Sequence, residues 1–232
     1  MTGARRRILV IGAGGLGCPA LYALAPKLAE RGDTVAIADD DRVDVSNLHR
    51  QILHRTEDVG RYKVDSAREA LGRRWPSLTV ETQRVRVGAG NVHELLRGHD
   101  VILDGTDSFE SKFLLNDACV QARLPLVHGG VTRWSGQLMA VVPGHACYRC
   151  LFEAPPPEGA AASCQEAGIL GAVAGVIGAR MADEALAILD GKPTRAGVLQ
   201  VYDARSGESR KVRLRPRPSC AACGTRTEAF AS

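Results

Sequence analysis

The sequence predicts an α/β fold with a doubly wound, mostly parallel sheet that continues into an antiparallel C-terminal part. Three observations lead to this prediction. Short apolar runs alternate with segments of helical periodicity up to about residue 129, a glycine motif follows the first apolar run, and strand-like alternation of polar and apolar residues appears only after Gly130. Strands that alternate with helices are typical of parallel sheets, because each parallel pair requires a crossover connection.

The first strand and helix enclose the glycine motif. The apolar run Ile8 to Ile11 is followed at once by Gly12, Gly14 and Gly17, and apolar residues then recur at helical spacing. Strand, glycine turn and helix in this order are typical of a Rossmann-like nucleotide-binding unit, in which backbone N–H groups approach a phosphate at the helix N-terminus. Alone, the motif favours NAD(P) and leaves a tight turn without ligand as the alternative.

The other elements follow from the same patterns. Strands are predicted over Thr34–Ala38, Leu78–Arg84, Asp100–Asp104 and Pro125–Gly129, and alternating, antiparallel segments over Gln137–Val142 and within Gly197–Leu214. Helices are predicted over Val59–Arg73, Phe109–Ala122 and Ile169–Leu189, the last carrying Gly171, Gly175 and Gly178 at a spacing that indicates close packing. The change of pattern near Gly130 marks a second part of one domain.

Composition excludes several classes of function. The 232 residues are 45% hydrophobic and 24% charged with a net charge of +4, which is ordinary for a soluble domain. The densest basic run, Arg210 to Arg217, is interpreted as a solvated strand edge, and no segment has the length and apolarity of a membrane span. No secretory signal precedes the first strand, and cysteine usage indicates a reducing compartment. We therefore expect a cytoplasmic protein with neither nucleic acid nor membrane as partner.

Two cysteine pairs are the strongest isolated motif. Cys147-x-x-Cys150 and Cys220-x-x-Cys223 together supply the four thiolates of a tetrahedral zinc site. Four sulfur ligands leave no open position, so the zinc would be structural and would staple the C-terminal strands to the domain. Two unrelated pairs of buried or redox thiols are the alternative. Cys18 and Cys119 are expected to pack in the core.

Cys164 stands alone on a Pro/Ala-rich connection that precedes a helix. A helix N-terminus lowers the pKa of a nearby thiol and favours the reactive thiolate. An inert loop cysteine is an equally weighted alternative.

Polar side chains that suit a polyphosphate and a metal ion follow successive strands. A carboxylate at the tip of the second strand, in Asp39-Asp40-Asp41, could accept hydrogen bonds from ribose hydroxyls. Cations can hold phosphate oxygens, and a carboxylate at a strand end can hold Mg²⁺. The set comprises Asp39, Asn47, Arg50, Gln51, Lys63 and Asp107.

With these residues in view, the chain resembles the ThiF/MoeB/HesA family, bacterial relatives of ubiquitin-activating enzymes. The resemblance extends from Ile8 to Cys223 and rests on motifs that occur in order. They are Gly12-Ala-Gly-Gly-Leu-Gly17, Asp39 to Gln51, Gly60-Arg-Tyr-Lys63, Asp104-Gly-Thr-Asp107, Cys147-Tyr-Arg-Cys150, Ser163 to Gly171 and Cys220-Ala-Ala-Cys223.

The resemblance implies ATP rather than NAD(P), and adenylation of the C-terminal glycine of a ubiquitin-like sulfur carrier that ends in Gly-Gly. It implies that Asp39 holds the ribose, that Asp107 holds Mg²⁺, and that Arg50 and Lys63 stabilise the phosphates during catalysis. The implied nucleotide-binding set is Gly12, Gly14, Gly15, Gly17, Asp39, Asp41, Asn47, Arg50, Gln51, Lys63 and Asp107. Cys164 occupies the position of a cysteine that in ThiF-like members forms a covalent link to the carrier, and Pro155-Pro-Pro157 resembles the loop that crosses the carrier tail.

The resemblance also implies how the chain is divided and what it interacts with. Residues 1–143 would form the nucleotide-binding part and 144–232 the carrier-binding and zinc part of a single ThiF-type domain. Only seven residues precede Ile8, where family members have a further helix with an arginine that reaches the partner subunit, so homodimer formation and that arginine stay open. Sulfur is expected from a separate donor protein, in thiamin, molybdopterin or a specialised biosynthesis.

Two other functions stay as alternatives at this point. An NAD(P)-dependent oxidoreductase would use the glycine loop but needs neither Mg²⁺ nor the pair of cations at Arg50 and Lys63. A non-catalytic, zinc-stapled protein could instead dock the carrier without activating it.

Overall fold

The strands of the described residues form one mixed sheet of eight strands. The computed structural model describes residues 5–157 and 168–224. In chain order the elements are β1 (Arg7–Ile11), α1 (Gly17–Arg31), β2 (Thr34–Ala38), α2 (Lys63–Arg74), β3 (Thr79–Gln83), α3 (Val92–Leu96), β4 (Val101–Asp104), α4 (Phe109–Ala122), β5 (Leu126–Thr132), β6 (Ser135–Val141), α5 (Tyr148–Leu151), α6 (Gly171–Leu189), β7 (Val198–Asp203) and β8 (Glu208–Arg213).

The sheet order is β3-β2-β1-β4-β5-β6-β7-β8. Strands from β3 to β5 run parallel, and each pair from β5 to β8 is antiparallel. The order reverses at β1, whose neighbours are β2 and β4, and ligands bind in the crevice at such a switch point. The predicted parallel sheet with an antiparallel C-terminal part is confirmed.

Both faces of the parallel strands are covered by apolar layers. Along β1, Ile8 and Val10 belong to the cluster with α1, α2 and α6, whereas Leu9 and Ile11 belong to the cluster with α3, α4 and the cysteines. Successive side chains of a strand point to opposite faces, so an uninterrupted apolar run is what a strand between two layers requires. Cys18 and Cys119 lie in these layers, as expected, and burial raises the pKa of each thiol to about 12.

Element boundaries differ from the prediction mainly between β2 and β3. The helix predicted over Val59–Arg73 begins only at Lys63, because Gly60 has a φ of +86° and Tyr62 is extended and bridged to Arg42. Lys63 is therefore the first residue of α2 rather than an interior one. β5 also extends beyond its predicted end to Thr132 and turns directly into β6, and the short helices α3 and α5 were not predicted.

The glycines of α6 pack as expected at two of three positions. A Cβ at Gly171 would lie 2.4 Å from the carbonyl oxygen of His49, and one at Gly178 would lie 2.7 Å from that of Leu16. A Cβ at Gly175 would meet nothing within 4 Å. α6 therefore lies against the backbone of both loops that carry predicted phosphate-binding residues.

The antiparallel end of the sheet is open to solvent. Every residue of β8 is exposed, which agrees with the interpretation of this basic segment as a solvated strand edge. Trp134 in the β5–β6 turn is 44% exposed, so it does not cover the core.

Candidate functional site

The glycine loop after β1 packs without space for side chains at two positions. Gly12 has a φ of +92°, and a Cβ there would lie 2.9 Å from the carbonyl oxygen of Gly105. A Cβ at Gly17 would lie 1.8 Å from the carbonyl oxygen of Gly12. Both contacts are backbone to backbone, so only glycine permits this approach of β1, α1 and the end of β4.

The next residues of this loop present free hydrogen-bond donors. The backbone N–H groups of Gly14, Gly15 and Leu16 have no partner among residues 5–157 and 168–224, and no side chain caps α1. Unpaired N–H groups at the positive end of a helix attract anions, and phosphate is the usual one. The loop therefore has the unpaired donors that a phosphate site requires, and phosphate binding by this loop stays a prediction.

Asp39 follows β2 and borders this loop. Its carboxylate accepts the N–H of Ala13 at 2.7 Å through Oδ2 and the N–H of Asp41 at 2.8 Å through Oδ1. Partial burial raises the pKa of this carboxyl from its ordinary value. Each oxygen keeps a further lone pair, which is what a hydrogen bond from a ribose hydroxyl requires.

Arg50 and Gln51 lie directly over the loop. A Cβ at Gly15 would lie 3.3 Å from Cδ of Arg50, and one at Gly14 would lie 3.8 Å from Nε2 of Gln51. Their backbone N–H groups both donate to the carbonyl of Asn47 at 3.1 Å, which makes the segment a compact turn. Gln51 is only 3% exposed, and its Oε1 has no partner among the described residues.

Lys63 contributes a buried cation with an exposed counter-ion. Its Nζ donates to Oδ2 of Asp41 at 2.7 Å, with side-chain exposures of 7% for Lys63 and 64% for Asp41. The backbone N–H of Lys63 also donates to the carbonyl of Asp41 at 2.9 Å. Lys63 is thus held at the end of β2 by two contacts with Asp41, one from its side chain and one from its backbone.

Asp107 lies just beyond β4 and is exposed. Its carboxylate forms no hydrogen bond or ion pair with any residue that the structure describes, so all of its lone pairs are free for a cation or water. Gly105, two residues earlier, contacts Gly12. The free carboxylate therefore follows directly on a segment packed against the glycine loop.

A buried polar network behind Asp107 was not predicted. Asp104, the last residue of β4, is paired with Lys112 and His128, and all three side chains are buried. Burial alone would raise the pKa of the Asp104 carboxyl, but Lys112 and the hydrogen bond from His128 hold it well below its usual range. A sequence signal exists in the i, i+4 spacing of Ser108, Lys112 and Asn116, which places three polar residues on one face of α4.

His54 forms a second buried polar link. Its Nδ1 contacts Ser66 Oγ at 2.8 Å, and its Nε2 contacts the carbonyl oxygen of Ala13 at 3.1 Å. Burial lowers the pKa of this histidine, so its neutral form is favoured. From the sequence alone, His54 is expected to take part in polar packing, because it lacks metal-ligand spacing with a carboxylate, and these contacts agree with that expectation.

The four predicted zinc ligands come together although the pairs are far apart in the chain. All four sulfur atoms lie within 4.8 Å of one another, with 3.6 Å between Cys147 and Cys220 and 3.3 Å between Cys150 and Cys223. Zinc with sulfur at about 2.3 Å places its ligands about 3.8 Å apart in a tetrahedron, so this donor set fits the metal. Thiolate sulfur is also the ligand type that zinc prefers in closed sites.

Neighbouring groups hold the cysteine cluster in place. Asn116 Nδ2 donates to Cys147 Sγ at 3.8 Å, and its Oδ1 accepts the N–H of Tyr148 at 2.8 Å. The N–H of Arg217 donates to Cys150 Sγ at 3.4 Å. Such outer contacts orient metal ligands and are typical of a built metal site.

Cys164 lies outside the described residues. Pro155–Pro157 are described as irregular chain, and the helix after the connection begins at Gly171 rather than Ile169. The predicted role of Cys164 in covalent chemistry therefore stays a prediction.

The described residues contain no helix with the length and apolarity needed to cross a membrane.

Comparison with known proteins gives a consistent family assignment. The model of the ThiF family matches residues 4–222. The chain is 43% identical over 228 residues to the sulfur carrier protein adenylyltransferase of Thermus thermophilus, covering 95% of this chain and 83% of that protein. It is 40% identical over 219 residues to the SAMP-activating enzyme E1 of Haloferax volcanii, covering 94% and 80%.

Longer proteins and solved structures are also similar. The chain is 42% identical to the adenylyltransferase and sulfurtransferase MOCS3 of Anopheles gambiae and spans about half of that protein, 49% of its length. The structure of E. coli MccB with ATP superposes with a TM-score of 0.79 at 20% identity, covering 94% of this chain and 67% of that one. At this identity the likeness concerns the fold alone.

Proposed function

The chain belongs to the ThiF family, and from that premise we propose that it adenylates the C-terminal glycine of a ubiquitin-like sulfur carrier with ATP. One observation supports this most directly: the free N–H groups of Gly14 to Leu16 lie under Arg50, and the buried ammonium of Lys63 is at the same carboxyl edge of the parallel strands, close enough for its charge to act on Asp39. The names of the two relatives that are covered over most of their length describe the same kind of activity.

The charge of the site favours ATP over a nicotinamide dinucleotide. A triphosphate requires more neutralisation than a pyrophosphate bridge, and the buried ammonium of Lys63 adds to Arg50 and the helix end. Asp107 adds a free carboxylate, which suits Mg²⁺ bound to phosphate. A hydride-transfer enzyme would have no use for this combination.

In the proposed reaction, a carboxylate oxygen of the carrier's terminal glycine attacks the α-phosphorus of ATP. The bond from that phosphorus to the bridging oxygen breaks, pyrophosphate leaves with its electron pair, and an acyl-adenylate remains. Such a reaction depends on positioning and on neutralising charge, so no side-chain nucleophile is needed for this step. Arg50 and Lys63 would neutralise phosphate oxygens, while Asn47 and Gln51 would fix the turn beside the glycine loop.

The remaining polar groups have supporting roles in this proposal. Asp39 would accept ribose hydroxyls, and Asp41 would release Lys63 to the phosphates. Asp107 would hold Mg²⁺, which when bound neutralises and orients the phosphates. The four cysteines would hold a structural zinc, because their sulfurs leave no position for a substrate.

The steps after adenylation would involve a sulfur donor and Cys164. Sulfur for the activated glycine would come from a separate donor protein. The thiolate of Cys164 would attack the carbonyl carbon of the acyl-adenylate and displace AMP, so that the carrier is held covalently. Adenylation itself would not require Cys164.

Carrier-dependent exchange of pyrophosphate into ATP tests the proposal. The full chain is incubated with ATP, Mg²⁺, labelled pyrophosphate and ubiquitin-like sulfur carriers that end in Gly-Gly. We expect exchange only with a free terminal carboxylate, and none with the same carrier lacking its last glycine or bearing a C-terminal amide. A carrier that binds the chain without supporting exchange would favour the non-catalytic docking alternative.

A further inference from the structure

Two carboxylates three residues apart have opposite environments. Asp104 is 0% exposed, and Asp107 is exposed. Oδ1 of Asp104 accepts the N–H of Thr106 at 2.9 Å and the hydroxyl of Thr106 at 2.6 Å. Oδ2 accepts from Lys112 Nζ at 3.0 Å and from His128 Nδ1 at 2.7 Å. A carboxylate has about four lone-pair positions, so Asp104 has none left for a metal ion or a ligand.

The charge on Asp104 is balanced inside the protein. Lys112 is its ionic partner, and the same Nζ donates to the carbonyl of Gly129 on β5 at 2.6 Å. His128 directs Nδ1 to Asp104 at 2.7 Å, and burial lowers the pKa of the ring, which favours its neutral form. The pair is thus net neutral and ties β4, β5 and α4 together. Buried ion pairs contribute little net stability. The main effect of the pair of Asp104 and Lys112 is therefore to fix the relative positions of these elements.

The fixed position of Asp104 in turn fixes Thr106 through two hydrogen bonds. Both donors of Thr106, the N–H and the hydroxyl, are directed back to Asp104. Gly105 is fixed on its other side, because its N–H donates to the carbonyl of Ile11 at 2.9 Å and its own carbonyl lies against Gly12. Asp107 follows with no side-chain partner among the described residues, so its carboxylate is placed at this strand end only through the backbone, which is held at Gly105 and Thr106.

We infer that Thr106 is a positioning residue: its two hydrogen bonds to the buried Asp104 aim the free carboxylate of Asp107 at the metal ion of the bound nucleotide. This inference rests on the proposed function, in which Asp107 holds Mg²⁺. Both donors of Thr106 are used on Asp104, so Thr106 would act only through Asp107.

The matched variants are Thr106→Val and Thr106→Ser. Valine keeps the shape and the backbone N–H but removes the hydroxyl, whereas serine restores the hydroxyl. Calorimetry gives the dissociation constant of a non-hydrolysable ATP analogue in EDTA and over a range of Mg²⁺ concentrations. Hydrogen exchange of the peptide that contains Asp107 gives a second readout that does not depend on activity or on metal.

We expect the valine variant to bind the analogue in EDTA within about twofold of wild type. The Mg²⁺ concentration for half-maximal tightening should rise about tenfold, which corresponds to the loss of one hydrogen bond. Hydrogen exchange of the peptide that contains Asp107 should be faster, because the N–H of Thr106 in that peptide is held less firmly on Asp104. Serine should restore both values. Thr106→Ala, which removes the same hydroxyl, replaces the valine variant if the latter does not fold.

Two results would overturn the inference, and they are distinguishable. If wild type responds to Mg²⁺ and the valine variant responds identically with unchanged hydrogen exchange, Thr106 does not position Asp107 although the proposed function stands. If wild type binds the analogue with no response to Mg²⁺, the assignment of Asp107 to Mg²⁺ fails together with the inference.

Discussion

The cysteine cluster and the carboxyl edge of strands β1, β2 and β4 are both built from polar groups, but they differ in what those groups leave free. In the cluster, the four sulfurs lie close to one another, and those of Cys147 and Cys150 accept hydrogen bonds from Asn116 and Arg217. At the strand edge, the N–H groups of Gly14 to Leu16, Gln51 Oε1 and the Asp107 carboxylate have no partner among the described residues. The comparison indicates that polar groups paired with one another stabilise a fold, whereas polar groups without a partner are available to a ligand.

Removing the free carboxylate should give the largest effect. We expect Asp107→Ala to abolish carrier-dependent ATP–pyrophosphate exchange, while the melting temperature stays that of wild type, because the other carboxylate at this strand end, Asp104, is fully paired with Thr106, Lys112 and His128. Glu110→Ala is the matched control, since Glu110 is also an exposed carboxylate, in the first turn of α4. Exchange near the wild-type rate in Asp107→Ala would show that the metal is held elsewhere.

The two cations should follow with somewhat smaller effects. Arg50→Ala and Lys63→Ala are each expected to lower the exchange rate about 10²-fold or more, as when one preorganised charge is removed from a transition state. Arg55→Ala is the control, because this exposed arginine lies five residues beyond Arg50. A loss of less than about threefold in both variants would contradict the assignment of these cations to the phosphates.

Loss of a ligand from the cysteine cluster should lower the stability of the fold rather than the rate of adenylation. We expect about one zinc per chain by elemental analysis, and Cys220→Ser should lose zinc and lower the melting temperature, because metal binding is linked to folding. At a temperature where the variant is folded, exchange should stay within a few-fold of wild type. Cys119→Ala, a buried cysteine outside the cluster, should retain its zinc. Wild-type protein prepared without chelators and free of zinc would contradict the prediction.

Cys164 should give the smallest effect on adenylation. Cys164→Ser is expected to leave exchange within a few-fold of wild type, since adenylation needs no thiol. The same variant should lose any covalent adduct with the carrier in mass spectra and form the carrier thiocarboxylate more slowly. An unchanged thiocarboxylate yield would make Cys164 a spectator.

Much of the fold could be predicted because its patterns are local. Apolar runs such as Ile8 to Ile11 match buried parallel strands, and the glycine spacing matches the backbone contacts of Gly12 and Gly17. The predicted start of α2 was wrong, because the helical spacing of apolar residues continues through Gly60, whose positive φ is incompatible with a helix.

The site was less predictable where contacts are distant in the chain. Coordination chemistry correctly united the two cysteine pairs across about seventy residues, since only together do they complete a zinc site. Lys112 and His128 could not be assigned in the same way, because their partner is defined by the position where β4 ends beside β5. The pairing of Lys63 with Asp41 likewise depends on how the chain turns between β2 and α2.

That pairing of Lys63 with Asp41 has a consequence for how an anion enters. The ammonium group is buried, but its carboxylate partner is 64% exposed, so the carboxylate can leave for water while the cation stays in place. In the proposed function, an incoming phosphate would then replace Asp41 as the counter-ion of Lys63, and the buried ammonium would not be left unpaired. Because the local charge changes little in this exchange, the rate of nucleotide association should depend only weakly on ionic strength at this position. Asp41→Asn should make that rate faster and more sensitive to salt, which stopped-flow measurements with a fluorescent ATP analogue can detect.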